Sequence, residues 1–550
     1  MGESGRLLGA LGRWADAVYL LPIALFVLLF ALVPVGILFA SGLGKGGGIG
    51  GFFSVVTQSP NFLTLRNSLF QGGLSAVGAF VLGYPAGLYL ARYSWPGRSL
   101  VRALVLVPFL LPSLVIVLAV VDLFGTGGLV SSAWPALHWL GHGVPGIVVV
   151  NLVFNVPIVV LFTALGCESA SDSLEESVAT LGGSPARAYR DVWAGPSLGG
   201  AAAGALLTFI FSALAFAAPI VLCGSPRCYT LEAQVYSLDF VQLDPTAASL
   251  LALAMVLLLV VPTAAYILLS RRLGGFGWPT RRARPRTREG GPVAYLLAAV
   301  SVAVWAGIAV VLGAVLYRSV VPGGREGFGG PWVDLFGGRT ADALGLSVSG
   351  VVGNTFAFAL LASAMALVLA LVAGVALRTR PGLGRPLAAY LFLPLLISPI
   401  LLAFSLAQFW RPLLGGEAMV WILIAVSQAT LALPFVMQSL EIPLFALPRA
   451  ANESARTLGA SSWQAFWDAD MPFARSGLMV AGLFAFAIGF GEFTATNFLV
   501  TPQYTTLSVA TYELQQLRFS DASDGAAALL LVVSLAIFLA IAFLGRTRGE

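Results

Sequence analysis

The chain has 550 residues, of which 58% are hydrophobic and only 10% charged, with 30 Lys and Arg against 25 Asp and Glu. Soluble chains carry about 25% charged residues, so a water-facing surface to match this length is missing. A cytosolic enzyme and a disordered regulator are excluded, and a net charge of +5 spread over the chain makes no basic patch for nucleic acid; an all-α polytopic membrane protein remains.

Crossing a hydrocarbon core of about 30 Å takes roughly 20 apolar residues. Twelve stretches qualify, at about 18–41, 69–91, 103–124, 145–167, 198–222 and 246–270, then 293–317, 355–377, 388–409, 419–440, 476–499 and 525–545. The first follows Arg6 and Arg13 without a small-residue cleavage pattern, so it reads as a retained membrane helix and not as a signal peptide. With the N-terminus inside, 22 of the 30 basic residues fall in cytoplasmic segments, as the positive-inside rule requires. Both termini are thereby predicted to be cytoplasmic, in the inner or plasma membrane of a bacterium or archaeon.

Residues 271–292, rich in Arg, Gly and Pro, read as a cytoplasmic linker between a first six-helix unit, 1–270, and a second, 293–550. The two units repeat one another. Asn67-Ser68 recurs as Asn354-Thr355, and Thr230-Leu231 with Tyr236 recurs as Thr506-Leu507 with Tyr512. Pro157 lies 19 residues before Glu176, and Pro434 lies 19 before Glu453. Six is even, so both units start on the same side and the repeat is parallel. Such a pair encloses a central pathway between its halves. Pro108 and Pro112 in the third span correspond to Pro394 and Pro399 in the ninth. Proline pairs kink a helix, either to line a pore or as ordinary packing.

The loop after the fourth span, 168–196, and the loop after the tenth, 446–474, each divide into helix, glycine stop and helix. Gly182 and Gly459 stand where a left-handed residue ends the first helix, and Ser184-Pro185 starts the next. Small residues Ser177, Ala179, Ser454 and Ala455 beside Leu181 and Leu458 give a short helix with an apolar face and little bulk, suited to a groove in another protein.

Both loops resemble the "EAA" signature of the membrane subunits of ATP-binding-cassette importers. Glu453, Ser454, Ala455, Gly459, Met471 and Pro472 fall on that pattern; the first copy keeps Glu176, Gly182 and Val192 but has Ser177-Val178 for the two alanines and Ala194-Gly195 where Leu-Pro stands in the family. The resemblance covers essentially the whole chain and is similar to the fused permeases of ferric-iron and thiamine importers. It implies a type I importer permease fold of about twelve helices. It also implies two copies of a cytoplasmic ATPase, an external solute-binding protein and a surrounding membrane lipid. Glu176, Ser177, Ala179, Leu181, Gly182, Glu453, Ser454, Ala455, Leu458 and Gly459 would then couple the permease to the ATPase.

The chain has no phosphate-binding loop: its single lysine, Lys45, follows Gly44 without the rest of that motif. It is therefore expected to be no enzyme and to bind no cofactor, with ATP and Mg held by the partner. The competing reading is an ion-coupled secondary transporter with twelve helices. Such carriers usually need titratable groups inside the spans, and here there are Asp122 and Glu441 near span ends and Glu492 within the eleventh. Glu492 is either a pathway or gate group or a carboxylate paired with Arg518 or hydrogen-bonded near the interface. Asn151, Asn155 and Gln428 either touch solute or hold helices together. His138 and His142 belong to no zinc-type cluster, and no metal site is expected. Cys223 and Cys228, five apart in an outer loop, are candidates for a disulfide.

Overall fold

The computed structural model describes residues 18–105, 107–170, 172–272, 291–321, 329–379, 390, 397–415, 419–446 and 450–546. All regular elements among them are helices. The first repeat contains α1 (Val18–Lys45), α2 (Ser59–Arg92), α3 (Ser113–Phe124), α4 (Gly143–Ser169), α5 (Asp172–Thr180), α6 (Ala194–Ala213), α7 (Ala217–Leu222) and α8 (Pro245–Arg272). The second contains α9 (Pro292–Val320), α10 (Val348–Thr379), α11 (Pro399–Leu413), α12 (Val420–Ala446), α13 (Ala450–Thr457), α14 (Met471–Gly491), α15 (Thr494–Leu499) and α16 (Ser520–Arg546).

Ten helices among the described residues are long and apolar enough to cross a membrane. The chain is a multi-pass membrane protein. Of the twelve spans read from the sequence, the ninth lies partly outside the described residues and is represented by α11. The eleventh is shorter than expected: α14 stops at Gly491, Glu492 leaves helical geometry at φ −67°, ψ 122°, and α15 restarts two residues later. The fifth breaks at the same repeat position, between α6 and α7. Hydropathy runs straight through both breaks because the residues around them are apolar.

The third span is also a break where a kink was expected. Pro108 sits in a four-residue helix, Val107–Leu110, and Pro112 is extended at φ −54°, ψ 129° immediately before α3. Pro399 is the first residue of α11, where its missing N–H costs nothing, and Ser398 Oγ caps that helix by accepting from the Leu401 amide at 3.1 Å. Pro394 lies outside the described residues, as do 273–290 of the 271–292 linker.

Two compact units form. One comprises Met1–Ser41, Gly345–Val509 and Leu539–Glu550, the other Gly42–Leu344 and Ala510–Phe538. The seventh span thus belongs with the first repeat's helices, and α1 up to Ser41 with the second repeat's. In the 42–344 unit, α2, α4 and α6 pack on one another, with α9 against α2 and α3. In the other, α10, α12 and α14 form the same three-helix core, and α1 packs on α10. Without a hydrophobic drive between helices in lipid, close contact depends on small residues. A Cβ on Gly204 would come within 2.9 Å of the Val159 Cα, so α6 approaches the backbone of α4 there.

The repeated Asn-Ser and Asn-Thr pairs have one structural job. Asn67 Nδ2 donates to the Arg227 carbonyl at 2.8 Å and the Tyr229 carbonyl at 3.3 Å, and Ser68 Oγ accepts from the Leu231 amide at 2.8 Å. In the second repeat Asn354 Nδ2 donates to the carbonyls of Gln503 and Thr505 at 3.0 and 3.2 Å, and Thr355 Oγ1 accepts from the Leu507 amide at 2.8 Å. Each pair pins the segment after the broken fifth span of its repeat onto the second span's helix.

Candidate functional site

In both loops the sequence folds into a short helix with an abrupt stop. Gly182 has φ +75° and Gly459 φ +97°, and nothing lies within 4 Å of a Cβ built on either. Glycine is needed there for its backbone angle, not for space. The Gly183 amide donates to the Val178 carbonyl at 2.8 Å, and the Ala460 amide to the Ala455 carbonyl at 3.1 Å, closing off the last turn as helix-ending glycine motifs do. The next helices begin on serine caps: Ser184 Oγ accepts from the Arg187 amide at 3.3 Å, and Ser461 Oγ from the Gln464 amide at 3.2 Å. Gln464 Oε1 accepts in return from the Ser461 amide at 2.9 Å, a capping box that the spacing of Ser461 and Gln464 signals.

Leu181 is 85% exposed and Leu458 89%. Both stand at the tip of their loop, one residue before the glycine. Glu176, Ser177, Ala179, Glu453 and Ser454 are exposed as well, and Ala455 is half-buried. An isolated exposed leucine is unremarkable. Two, at the same repeat position and at the tips of glycine-stopped helices, form an apolar knob per repeat that the described residues leave uncovered.

The polar groups inside the spans resolve differently. Glu492 does not stand free: its carboxylate accepts from the Ala495 and Thr496 amides, each at 2.7 Å, and from the Thr496 hydroxyl at 2.5 Å. It caps α15, satisfying amides that the helix break leaves without partners. Arg518 is not among these donors, so of the roles weighed for Glu492 the hydrogen-bonded one describes its geometry. Gln428 Nε2 donates to Thr496 Oγ1 at 3.3 Å, tying α12 to the same cap. In the first repeat Asn151 Nδ2 donates to Gln71 Oε1 at 2.7 Å and Ser75 Oγ at 3.2 Å, while Gln71 Nε2 donates to the Ser212 carbonyl. Asn155 Nδ2 donates to the Asn151 carbonyl at 2.8 Å and Ser212 Oγ at 3.4 Å. These amides join α2, α4 and α6. Gln71 escaped the sequence reading because a lone glutamine in a span carries no spacing signal.

Cys223 and Cys228 are joined as a disulfide, with Cα atoms 6.1 Å apart. Among the described residues no group of three or more His, Cys, Asp or Glu could hold a metal. The two histidines instead bond to each other, Nε2 to Nε2 at 3.0 Å. Partial burial and the charge of His138 lower the pKa of His142.

Residues 83–275, which include the first loop, match the family described as "Binding-protein-dependent transport system inner membrane component". That match covers about a third of the chain. Its curated relatives include the thiamine transport system permease protein ThiP of Brucella suis, 30% identical over 229 residues, covering 38% of this chain and 41% of the relative. ThiP of Salmonella typhimurium is 29% identical over 216 residues, 38% and 39% of the two chains. The molybdenum transport system permease protein ModB of Escherichia coli K12 is 28% identical over 165 residues, 28% of this chain and 71% of that one. The chain thus spans about four-tenths of the length of the thiamine permeases it matches.

Proposed function

We propose that this permease forms the translocation pathway of an ATP-driven importer, receiving its solute from an external binding protein and its energy from two copies of a cytoplasmic ATPase. The observation that carries this reading is the pair of exposed leucine knobs, one per repeat, on glycine-stopped helices, uncovered by the described residues. An apolar side chain so exposed favours a partner groove. ATP and Mg belong to that partner, and this chain contributes no hydrolytic step. The loops and both termini face the cytoplasm, the side on which 22 of the 30 basic residues fall under the span order above.

Thiamine is the leading solute, because the relatives that match over the longest stretches are named for it. Iron, the other solute suggested by the resemblance, has no such support and is not proposed. The test is reconstitution of the chain with an ATPase and a binding protein in liposomes. Thiamine uptake that requires ATP inside and the loaded binding protein outside is the expected result. Uptake driven by a proton or sodium gradient without ATP would mean a secondary carrier. Replacing both Glu453 and Gly459 should leave hydrolysis but abolish uptake; unchanged uptake refutes the coupling role of the loops.

A further inference from the structure

Among the described side chains of the two loop helices, one in each is buried: Glu175 in α5, 4% exposed, and Asn452 in α13, 5% exposed. These residues are 277 apart, the spacing of the repeat itself. Each loop helix therefore has one buried polar side chain among those described, and each belongs to a group that holds an arginine–carboxylate pair. Glu175 Oε1 accepts from Arg92 Nη2 at 2.8 Å, at the last residue of α2. The Arg92 guanidinium carbon also lies 3.1 Å from the centre of the Trp193 ring. In the second repeat Arg378, near the end of α10, donates through Nη2 to Asp470 Oδ1 at 2.7 Å, and Asn452 Nδ2 donates to Asp470 Oδ2 at 2.6 Å.

Trp193 and Asp470 are again 277 apart, and each is the last residue of a π-helical turn, Tyr189–Trp193 and Phe466–Asp470. Such turns are rare and are often found at functional positions. Three positions thus recur: an arginine ending the second span of the repeat, the buried residue of the loop helix, and the end of the π turn. The carboxylate has changed place. In the first repeat it stands on the loop helix and the π turn offers an aromatic face to the guanidinium. In the second it stands on the π turn and the loop helix offers an amide. In each arrangement an arginine at the end of the second span faces a carboxylate.

On the reading above that the loops receive force from an ATPase, we infer that Arg92–Glu175–Trp193 and Arg378–Asp470–Asn452 are positioning triads that carry movement of each loop helix into its three-helix core. A buried ion pair is strongly directional, and removing one partner leaves an uncompensated charge. A loop helix held by it cannot slide without moving α2 or α10. The π turn places the third group in register with both, at the start of α6 or α14. Each triad therefore touches two of the three core helices as well as the loop.

The test uses the full chain reconstituted with its ATPase and binding protein, with labelled thiamine as the probe, and reads uptake and ATP hydrolysis together. Amide exchange of 172–180 and 450–457 is read in parallel on the chain alone in nanodiscs. In Glu175→Gln, hydrolysis should persist while uptake per ATP falls about tenfold, within the range of ordinary coupling free energies. Exchange should rise in 172–180 and stay unchanged in 450–457. Asp470→Asn should do the converse. The double variant E175N/W193D gives the first loop the charge arrangement of the second and should restore both readouts, while E175N alone does not. Wild-type uptake per ATP and wild-type exchange in both single variants would overturn the triads while leaving the importer reading intact. Uptake that falls only in step with hydrolysis would likewise reduce the pairs to a folding role and overturn them. If the wild-type complex uses no ATP, the importer reading fails and the coupling role with it.

Discussion

The two loop regions share an outline and divide their electrostatics differently. Both present a leucine at the tip, stop on a left-handed glycine and rest on one buried polar side chain. In the first the ion pair is partly open, with the Arg92 side chain 14% exposed, whereas Arg378 and Asp470 are 3% and 1% exposed. A duplicated unit can therefore keep a mechanical arrangement while its charge moves to a neighbouring backbone position, provided the number of buried charges stays balanced. Geometry was retained more strictly than residue identity.

The comparison can be broken most severely at the better-buried pair. Asp470→Ala removes the carboxylate that Arg378 and Asn452 both donate to, and should cost about 3–5 kcal/mol, read as thermal unfolding in nanodiscs. Glu175→Ala should cost less, because Arg92 keeps its contact with Trp193 and some access to water. Equal losses would show that the difference in burial has no energetic meaning. Next in size, Leu181→Asp and Leu458→Asp should each weaken ATPase binding by about 2 kcal/mol or more, as for a buried interface anchor, with no change in the chain's own melting temperature. Co-purification with the ATPase at graded concentrations measures this, and unimpaired capture of both variants would remove the knobs from the interface.

A smaller effect distinguishes the two broken fifth spans. Glu492→Ala removes the cap of α15 and should cost about 0.5–2 kcal/mol, the range for helix caps. The corresponding stretch of the first repeat holds Ala215 and Phe216 and has no carboxylate to lose. Glu492→Gln keeps one of the two accepting oxygens and should retain part of that stability. Loss of uptake in that variant with stability intact would identify a role for the charge beyond capping.

The smallest effect is a pH dependence confined to one repeat. Burial raises the pKa of Asp239 from 3.8 to about 6, and the residue 276 further along is neutral Gln515. An acid whose folded pKa is raised binds its proton more tightly when folded. Its contribution is therefore fully present below pH 3.8, is lost as the pH rises through 6, and is constant above. Asp239→Asn should flatten melting temperature against pH over that window. An unchanged profile would assign the slope to another group.

Much of the fold was legible from spacing. Apolar runs located ten of the helices, the 277-residue recurrence located both loops, and Gly182 and Gly459 fixed where each loop helix ends. The loop signature was legible because it depends on local chemistry: a small-residue face, a leucine and a positive φ. Other features were half legible. Asn67-Ser68 and Thr230-Leu231 both registered as repeat markers, yet nothing in sequence said that the first pair hydrogen-bonds the segment carrying the second. The proline break before α3 and the breaks after α6 and α14 were invisible to hydropathy, since an apolar residue scores alike in a helix and in a turn.

What is local was therefore readable from the residues alone: apolar helices in two repeats, with one glycine-stopped loop in each, because hydropathy, capping and backbone preference act over a few residues at a time. Packing settled the rest: which compact unit each first span joins, that Glu492 caps a helix, and that Arg92 and Arg378 meet their carboxylates at different backbone positions. Those outcomes depend on which buried groups come within hydrogen-bond reach across distant segments, and no local pattern encodes that distance.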